Sequence, residues 1–452
     1  MIFEKIKSQN STTIAIRDAA SALSYGRLVN EITNRAHSLQ NVRVLALSLD
    51  NSIEWILWDL AALYAGVPCV PLPLFFTQDQ IFHVLQSAGV THIISPEGLR
   101  DTGLEGTAAL PQGTAKITFT SGTTGTPKGV CLSQGAMENV AGSIVAVLGD
   151  KFVGNHASVL PLAVLLENVA GVYAGLMAGC TIQLTPLRSF GQQYENIHSV
   201  LKGVEATSAI LVPEILRILM AQVAVNGPLP KLHFLAVGGS RVDPALIEAA
   251  RQMGLPVYEG YGLSECSSVV SLNTPTDDNL GSVGKILPHI KADIKDGEIV
   301  IHGPGFLGYI GEAAPNSFAT GDLGAIDENG YLHVTGRKKN VLITSYGRNI
   351  SPEWVESTLL TIPAIAQVIV YGDDAPHLSA LIVPSSPQAD IESALVRANQ
   401  RLPDYAQIKE FRIVPPFTTA EETLTGTGRP RREKILNLYT QEKDNEFLRS
   451  IG

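Results

Sequence analysis

Apolar positions along this chain fall into two alternating rhythms. VRVLALSL, Val42 to Leu49, is a nearly continuous apolar run of strand type, and NSIEWILWDLAALYAG after it is patterned as a helix. PCVPLPL and THIIS repeat the strand signal, as do ITFT and, further on, HFLAVGGS; SAILVPEILRILMAQV predicts a strand running into a helix, and another helix is predicted from Pro244 to Met253. Strand and helix in alternation predict an α/β fold whose parallel-rich sheets are covered by helices on both faces. Beyond about Gly336 the texture changes to shorter strands, QVIVYG and LSALIVP, around helices predicted over Ser351 to Leu360 and Asp390 to Leu402. That predicts a smaller α+β domain at the C-terminal end.

One run departs from this texture. VLPLAVLLENVAGVYAGLMAGC, Val159 to Cys180, has the length of a membrane span and carries Gly171, Gly175 and Gly179 at four-residue spacing. Pro161, Glu167 and Asn168 interrupt it and no basic cluster flanks it, so it predicts a buried helix whose glycines admit a neighbouring element closely. The N-terminus, MIFEKIKSQNSTT, has no apolar core of signal-peptide length, and the expected location is cytoplasmic.

Composition narrows the partners. With 45% hydrophobic and 17% charged residues the chain is an ordinary globular protein, and a net charge of −10 argues against a nucleic-acid binder, which needs a concentrated basic face. Cys69, Cys131, Cys180 and Cys266 lie far apart without a CxxC pair, which predicts reduced, buried thiols.

The stretch ITFTSGTTGTPKGVCLS, Ile117 to Ser133, carries the first chemistry. A strand runs into a turn dense in hydroxyls and backbone amides, from Thr120, Ser121, Gly122, Thr123 and Thr124, with Lys128 near its far end. Such a nest of donors suits phosphate oxygens. It is not a Walker loop, because Pro127 precedes the lysine and Gly129 follows it, leaving no hydroxyl there for magnesium. A polar connecting loop remains the plain alternative for this motif taken alone.

Further motifs follow in order: VYEGYGLSE (Val257 to Glu265), TGDLG (Thr320 to Gly324) and GRKKNVLITSYGRNISPEWVE (Gly336 to Glu356). With TSGTTGTPKG they make the whole chain resemble the acyl-CoA synthetase branch of the adenylate-forming superfamily, from SYGRL near Ser24 to TGTGRPRREKI. The resemblance implies an N-terminal ATP- and acyl-binding domain over residues 1–337 and a mobile C-terminal domain over residues 338–452, hinged near Lys339. It implies an acid–thiol ligase that joins a carboxylate to the α-phosphate of ATP and then passes the acyl group to the pantetheine thiol of CoA or an acyl-carrier protein.

Roles follow by resemblance. The Ser/Thr/Gly loop would hold the β- and γ-phosphates with Lys128 beside them, and Glu265 would carry Mg2+. Ser264 stands where the family more often has threonine. Asp322 would accept hydrogen bonds from the ribose hydroxyls, joined by Arg337. Adenine would lie between the turn Gly238, Gly239, Ser240 and the segment Glu259, Gly260, Tyr261, Gly262, with Tyr261 offering its ring. Gly347 would line the thiol tunnel, with a simple hairpin turn as its alternative.

This sequence departs from the family at two functional positions. The tail usually ends in a Gly-Lys step whose lysine bridges carboxylate and α-phosphate; here Arg429 stands in that place, with Lys434 nearby as another candidate. Val164 stands where an aromatic or histidine gate is expected at the acyl pocket, which implies a hydrophobic acid: a medium or long acyl chain, or an aryl or polyene acid. The chain is also short between SPEGLR and TAKITF, where the family usually has a longer insert. A non-catalytic nucleotide- or acyl-binding relative, and an acyl-AMP ligase that forms no thioester, stay open beside the ligase reading.

Overall fold

The alternating rhythm builds two large sheets. The structure, a computed structural model, describes residues 1–120, 127–191, 194–303, 305–425, 428–440 and 449–451. Among the described residues, one sheet has seven strands with a parallel centre, Leu45–Leu47, Cys69–Pro71, His92–Ser95 and Thr114–Thr120, and antiparallel strands at both edges. The other has nine strands, its centre running parallel through Thr181–Leu184, Asn155–Ser158, Ser208–Leu211, Phe234–Val237 and Val257–Leu263. The expected α/β architecture is therefore present.

Local signals place the covering helices. Ser52 accepts a hydrogen bond from the Trp55 amide to open the helix Ile53–Ala65, and Gly66, at φ 68°, closes it in the left-handed region. Asp243 caps Pro244–Gln252 by accepting from the Ala245 amide, with proline in the first turn where its missing N–H costs nothing. Trp55, Leu60 and Ala61 are fully buried between helix and sheet.

The run from Val159 to Cys180 is buried, as expected, but helical only from Leu166. Residues Leu166–Tyr173 form a π-helix that passes into the α-helix Ala174–Ala178. The wider winding is accompanied by buried polar groups: Glu167 pairs with His156 at 3.1 Å and Asn168 donates to Asp59 at 3.1 Å. The glycines serve close packing, since a Cβ on Gly175 would lie 2.7 Å from Ile182 Cδ1 and one on Gly171 would lie 2.7 Å from His156 Nε2. Among the described residues, no helix is long and apolar enough to cross a membrane.

Beneath this π-helix lies a buried ionic network. Lys116, on the strand leading to the polar loop, is 1% exposed and sits 2.8 Å from Asp59 Oδ1. Its ammonium also donates to Asn168 Oδ1 and, at 3.1 Å, to the Tyr173 hydroxyl, which in turn donates to Asp59 Oδ2 at 2.8 Å. The group thus ties together a strand, a helix and the π-helix inside the largest apolar core.

A four-stranded antiparallel sheet, Lys291–Lys295, Glu298–His302, Ser317–Ile326 and Leu332–Arg337, was not anticipated from the apolar pattern. Ile299, Ile301 and Leu332 pack its inner face against Cys266 and Val270. From Leu342 onward the chain forms separate apolar clusters around the strands Ile365–Tyr371, Leu378–Pro384 and Ile408–Ile413. The helices Pro352–Leu359 and Ile391–Asn399 fall where the pattern placed them. All four cysteines are free and buried.

Candidate active site

The polar loop springs from a β-hairpin. Thr114–Thr120 and Lys128–Ser133 run antiparallel with Thr120 opposite Lys128, so Lys128 stands at the loop's base. Ser121, Gly122, Thr123 and Thr124 lie outside the described residues. The Lys128 ammonium lies 5.3 Å from the centre of the Tyr309 ring, and the Tyr309 hydroxyl donates to Glu265 Oε1 at 2.9 Å. Two residues expected to handle phosphate and magnesium are thereby brought to one phenol. Burial, and then the charge of Glu265, push the Tyr309 hydroxyl above its ordinary pKa, so it stays a proton donor.

Glu265 rides on a short 3-10 turn, Ser264–Cys266. Directly after it Ser267 and Ser268 take φ values of 60° and 129°, positions of stored backbone strain for residues with a Cβ. This tight reversal presses the Ser268 carbonyl onto Gly262, where any Cβ would collide with it. Glu265 Oε2 has no hydrogen-bond partner among the described residues, and no group of three acidic, histidine or cysteine side chains gathers there. One open carboxylate oxygen fits magnesium, which takes its remaining ligands from phosphate and water.

A second cluster forms where Asp322 and Arg337 face each other across paired strands. Arg337 Nε donates to Asp322 Oδ1 at 2.8 Å and the Tyr261 hydroxyl to Oδ2 at 2.7 Å. Burial raises the Asp322 pKa, with Arg337 opposing. Each carboxylate oxygen keeps an acceptor site beyond the one already used, so the pair can still receive two hydroxyls. Tyr261, expected only as an aromatic face, also orients that carboxylate.

The turn Gly238, Gly239, Ser240 follows the strand Phe234–Val237, and a Cβ on Gly238 would lie 2.9 Å from the Gly260 carbonyl, so this turn and the segment from Gly260 are in close contact. Glu259 is different. Its buried carboxyl accepts from the Val242 amide and faces Arg241, and burial pushes its pKa up to about 8. A carboxyl that titrates near 8 folded but near 4.3 unfolded makes stability fall as pH rises between those values. Glu259→Gln is therefore expected to match the wild type near pH ~4 and to exceed it increasingly up to pH ~8, a gap that urea midpoints across this range would read.

Arg429 arrives from the C-terminal part of the chain. Thr425 N–H donates to the Arg429 carbonyl at 2.7 Å and Arg429 N–H to Thr425 Oγ1 at 3.0 Å, so the Arg429 backbone is tied to Thr425. The residue is exposed, yet its guanidinium reaches the site: Nη2 lies 3.7 Å from where a Cβ on Gly239 would stand. Desolvation first, then Arg337, lowers its pKa, while Asp322 and Glu214 act in the opposite sense. Lys434 instead pairs with Glu422 at 2.7 Å. Arg401 adds a second contact to the body, its Nη2 lying 3.0 Å and 3.2 Å from the two Asp243 oxygens.

The sequence model of AMP-binding enzymes matches residues 3–112 and 100–310, and that of the AMP-binding enzyme C-terminal domain matches residues 339–448. The chain belongs to the AMP-binding enzyme family. This AMP-binding enzyme is 34% identical over 241 residues to long-chain-fatty-acid–CoA ligase FadD15 of Mycobacterium bovis, across 45% of this chain and 40% of that one. It is 27% identical over 383 residues to 2-succinylbenzoate–CoA ligase of Bacillus subtilis, across 75% and 76% of the two chains. The fold matches O-succinylbenzoate Coenzyme A synthetase of Bacillus subtilis, solved in complex with ATP and magnesium, with a TM-score of 0.77 at 23% identity, over 96% of this chain and 98% of that one.

The remaining expected positions of this AMP-binding enzyme lie farther out. Lys339 sits in a 3-10 turn, Lys338–Asn340, immediately after the strand that carries Arg337; burial and then Arg337 lower its pKa. Gly347 closes a turn at φ 73°, its N–H donating to the Thr344 carbonyl at 2.7 Å, so the hairpin alternative describes its local structure. Val164, partly buried, heads the π-helix: its carbonyl accepts from the Glu167 and Asn168 amides. Tyr309 and the Lys116 network went unnoticed in the sequence. A lone lysine in the strand TAKITFT and a lone aspartate in the apolar helix IEWILWDLAALYA were the signals for the network.

Proposed function

We propose that this AMP-binding enzyme is an acid–thiol ligase that activates a hydrophobic carboxylic acid with ATP and passes the acyl group to the thiol of CoA. The observation that carries this reading is the convergence of Arg429 on the Gly239 turn beside the Asp322–Arg337 pair. Relatives that are fatty-acid and 2-succinylbenzoate CoA ligases support the acid and the acceptor.

In the first half-reaction a carboxylate oxygen attacks the α-phosphorus of ATP, the bond to the bridging oxygen breaks, and pyrophosphate leaves. Two anions must approach, so preorganised cations set the barrier. Arg429 supplies one at the acyl side, and Lys128 stays beside the departing pyrophosphate. Asp322, oriented by Arg337 and Tyr261, holds the ribose, and the Gly238 to Ser240 turn borders adenine. Glu265 would hold magnesium, which supplies positive charge against the phosphates when bound.

In the second half-reaction the thiol attacks the acyl carbonyl and AMP leaves. The domain from residue 338 to 452 turns about Lys339 and brings Gly347 to the path of the pantetheine arm. Val164 borders the acyl pocket, where an apolar wall without a ring selects a medium or long acyl chain or an aryl or polyene acid. Pyrophosphate release over a panel of such acids, with CoA and a carrier protein supplied separately, tests this. Acid-dependent release with a CoA thioester is the expected result. ATP binding without acid-dependent release from any member would instead identify a non-catalytic binder, and release without any thioester an acyl-AMP ligase.

A further inference from the structure

Tyr309 lies on the strand Phe306–Tyr309, which pairs antiparallel with Lys128–Ser133 and so forms the edge beside the hairpin that bears the polar loop. Its ring is braced edge-on by Phe306, with centroids 5.4 Å apart. The same side chain meets Lys128 with its face, at 5.3 Å, and Glu265 with its hydroxyl, at 2.9 Å. Among the described residues Lys128 and Glu265 form no ion pair with each other, although both approach this one phenol. A direct pair would neutralise both charges before a ligand arrived.

We propose that Tyr309 is a positioning residue that keeps the Lys128 ammonium and the Glu265 carboxylate apart and aimed at a common polyphosphate–metal site. The inference rests on the ligase reading above and deepens it. The phenol face holds the cation through the ring quadrupole, and the hydroxyl satisfies one carboxylate oxygen while leaving the other for a metal ion. Removing the hydroxyl frees the carboxylate to swing onto the lysine, which weakens the site for metal-bound triphosphate but leaves the nucleoside end alone.

Calorimetric titration of ATP and of AMP into the full chain, over a range of magnesium concentrations, tests this on Tyr309→Phe. The magnesium needed for half-maximal enhancement of ATP binding is expected to rise about tenfold, the effect of losing a hydrogen bond to a charged group. AMP affinity and melting temperature should stay within about twofold and about two degrees of the wild type, which a merely structural role would not predict. Glu265→Gln should show at least this loss, and adding Tyr309→Phe to it should cost little more. Unchanged magnesium dependence in Tyr309→Phe, or additive losses in the double variant, overturns the role of Tyr309 alone. A wild-type chain that binds no ATP overturns the ligase reading and this inference with it.

Discussion

Replacing Arg429 with alanine is expected to lower acid-dependent pyrophosphate release by roughly 10²–10³-fold, the usual cost of removing one preorganised donor from a developing charge. ATP affinity should change little, because the ribose and phosphate contacts assigned to Asp322, Arg337 and Lys128 come from the other part of the chain. Steady-state kinetics would show the loss in kcat rather than in KM for ATP. Arg429→Lys should recover much of the rate, since a shorter point charge can still reach between the two anions. Lys434→Ala should leave the rate near wild type, because Lys434 is held by Glu422 at 2.7 Å. Full turnover in Arg429→Ala would remove Arg429 from the site.

Lys116→Met is expected to cost about 3–5 kcal/mol of stability, measured by urea unfolding followed through tryptophan fluorescence. The size comes from what remains: Asp59, 1% exposed, would be left buried without its cation, its hydrogen-bond partners among the described residues being the neutral Tyr173, Asn168 and Cys69 side chains. Combining Lys116→Met with Asp59→Leu should recover most of the loss, because an apolar pair of similar volume carries no uncompensated charge. A single variant as stable as the wild type would show that the network is not ionised as drawn.

Local periodicity carried a good part of the fold. The helices Ile53–Ala65 and Pro244–Gln252 announce themselves by capping residues, the first with an almost wholly apolar run and the second with an apolar stripe, and their strands by unbroken apolar runs. The antiparallel sheet from Lys291 to Arg337 was missed because its outer strand reads KADIK and alternates between exposed and half-buried positions, which local pattern does not separate from a loop. The π-helix was missed for another reason: its winding accompanies Glu167 pairing with His156, on a separate strand, and Asn168 with Asp59, far away in the chain. Likewise Arg429 could be singled out by its place in a motif, whereas Tyr309 became visible only when sheet pairing set it between Lys128 and Glu265. Motifs name residues that meet ligands, and long-range pairing names those that hold them.

The most direct test of the central claim is mass spectrometry of the products formed from ATP, magnesium and a pool of hydrophobic carboxylic acids, with and without CoA. The ligase reading predicts AMP, pyrophosphate and an acyl-adenylate in the absence of CoA, and an acyl-CoA of the same acid when CoA is added. Cleavage of ATP to ADP, or bound ATP left intact with every acid in the pool, would contradict it.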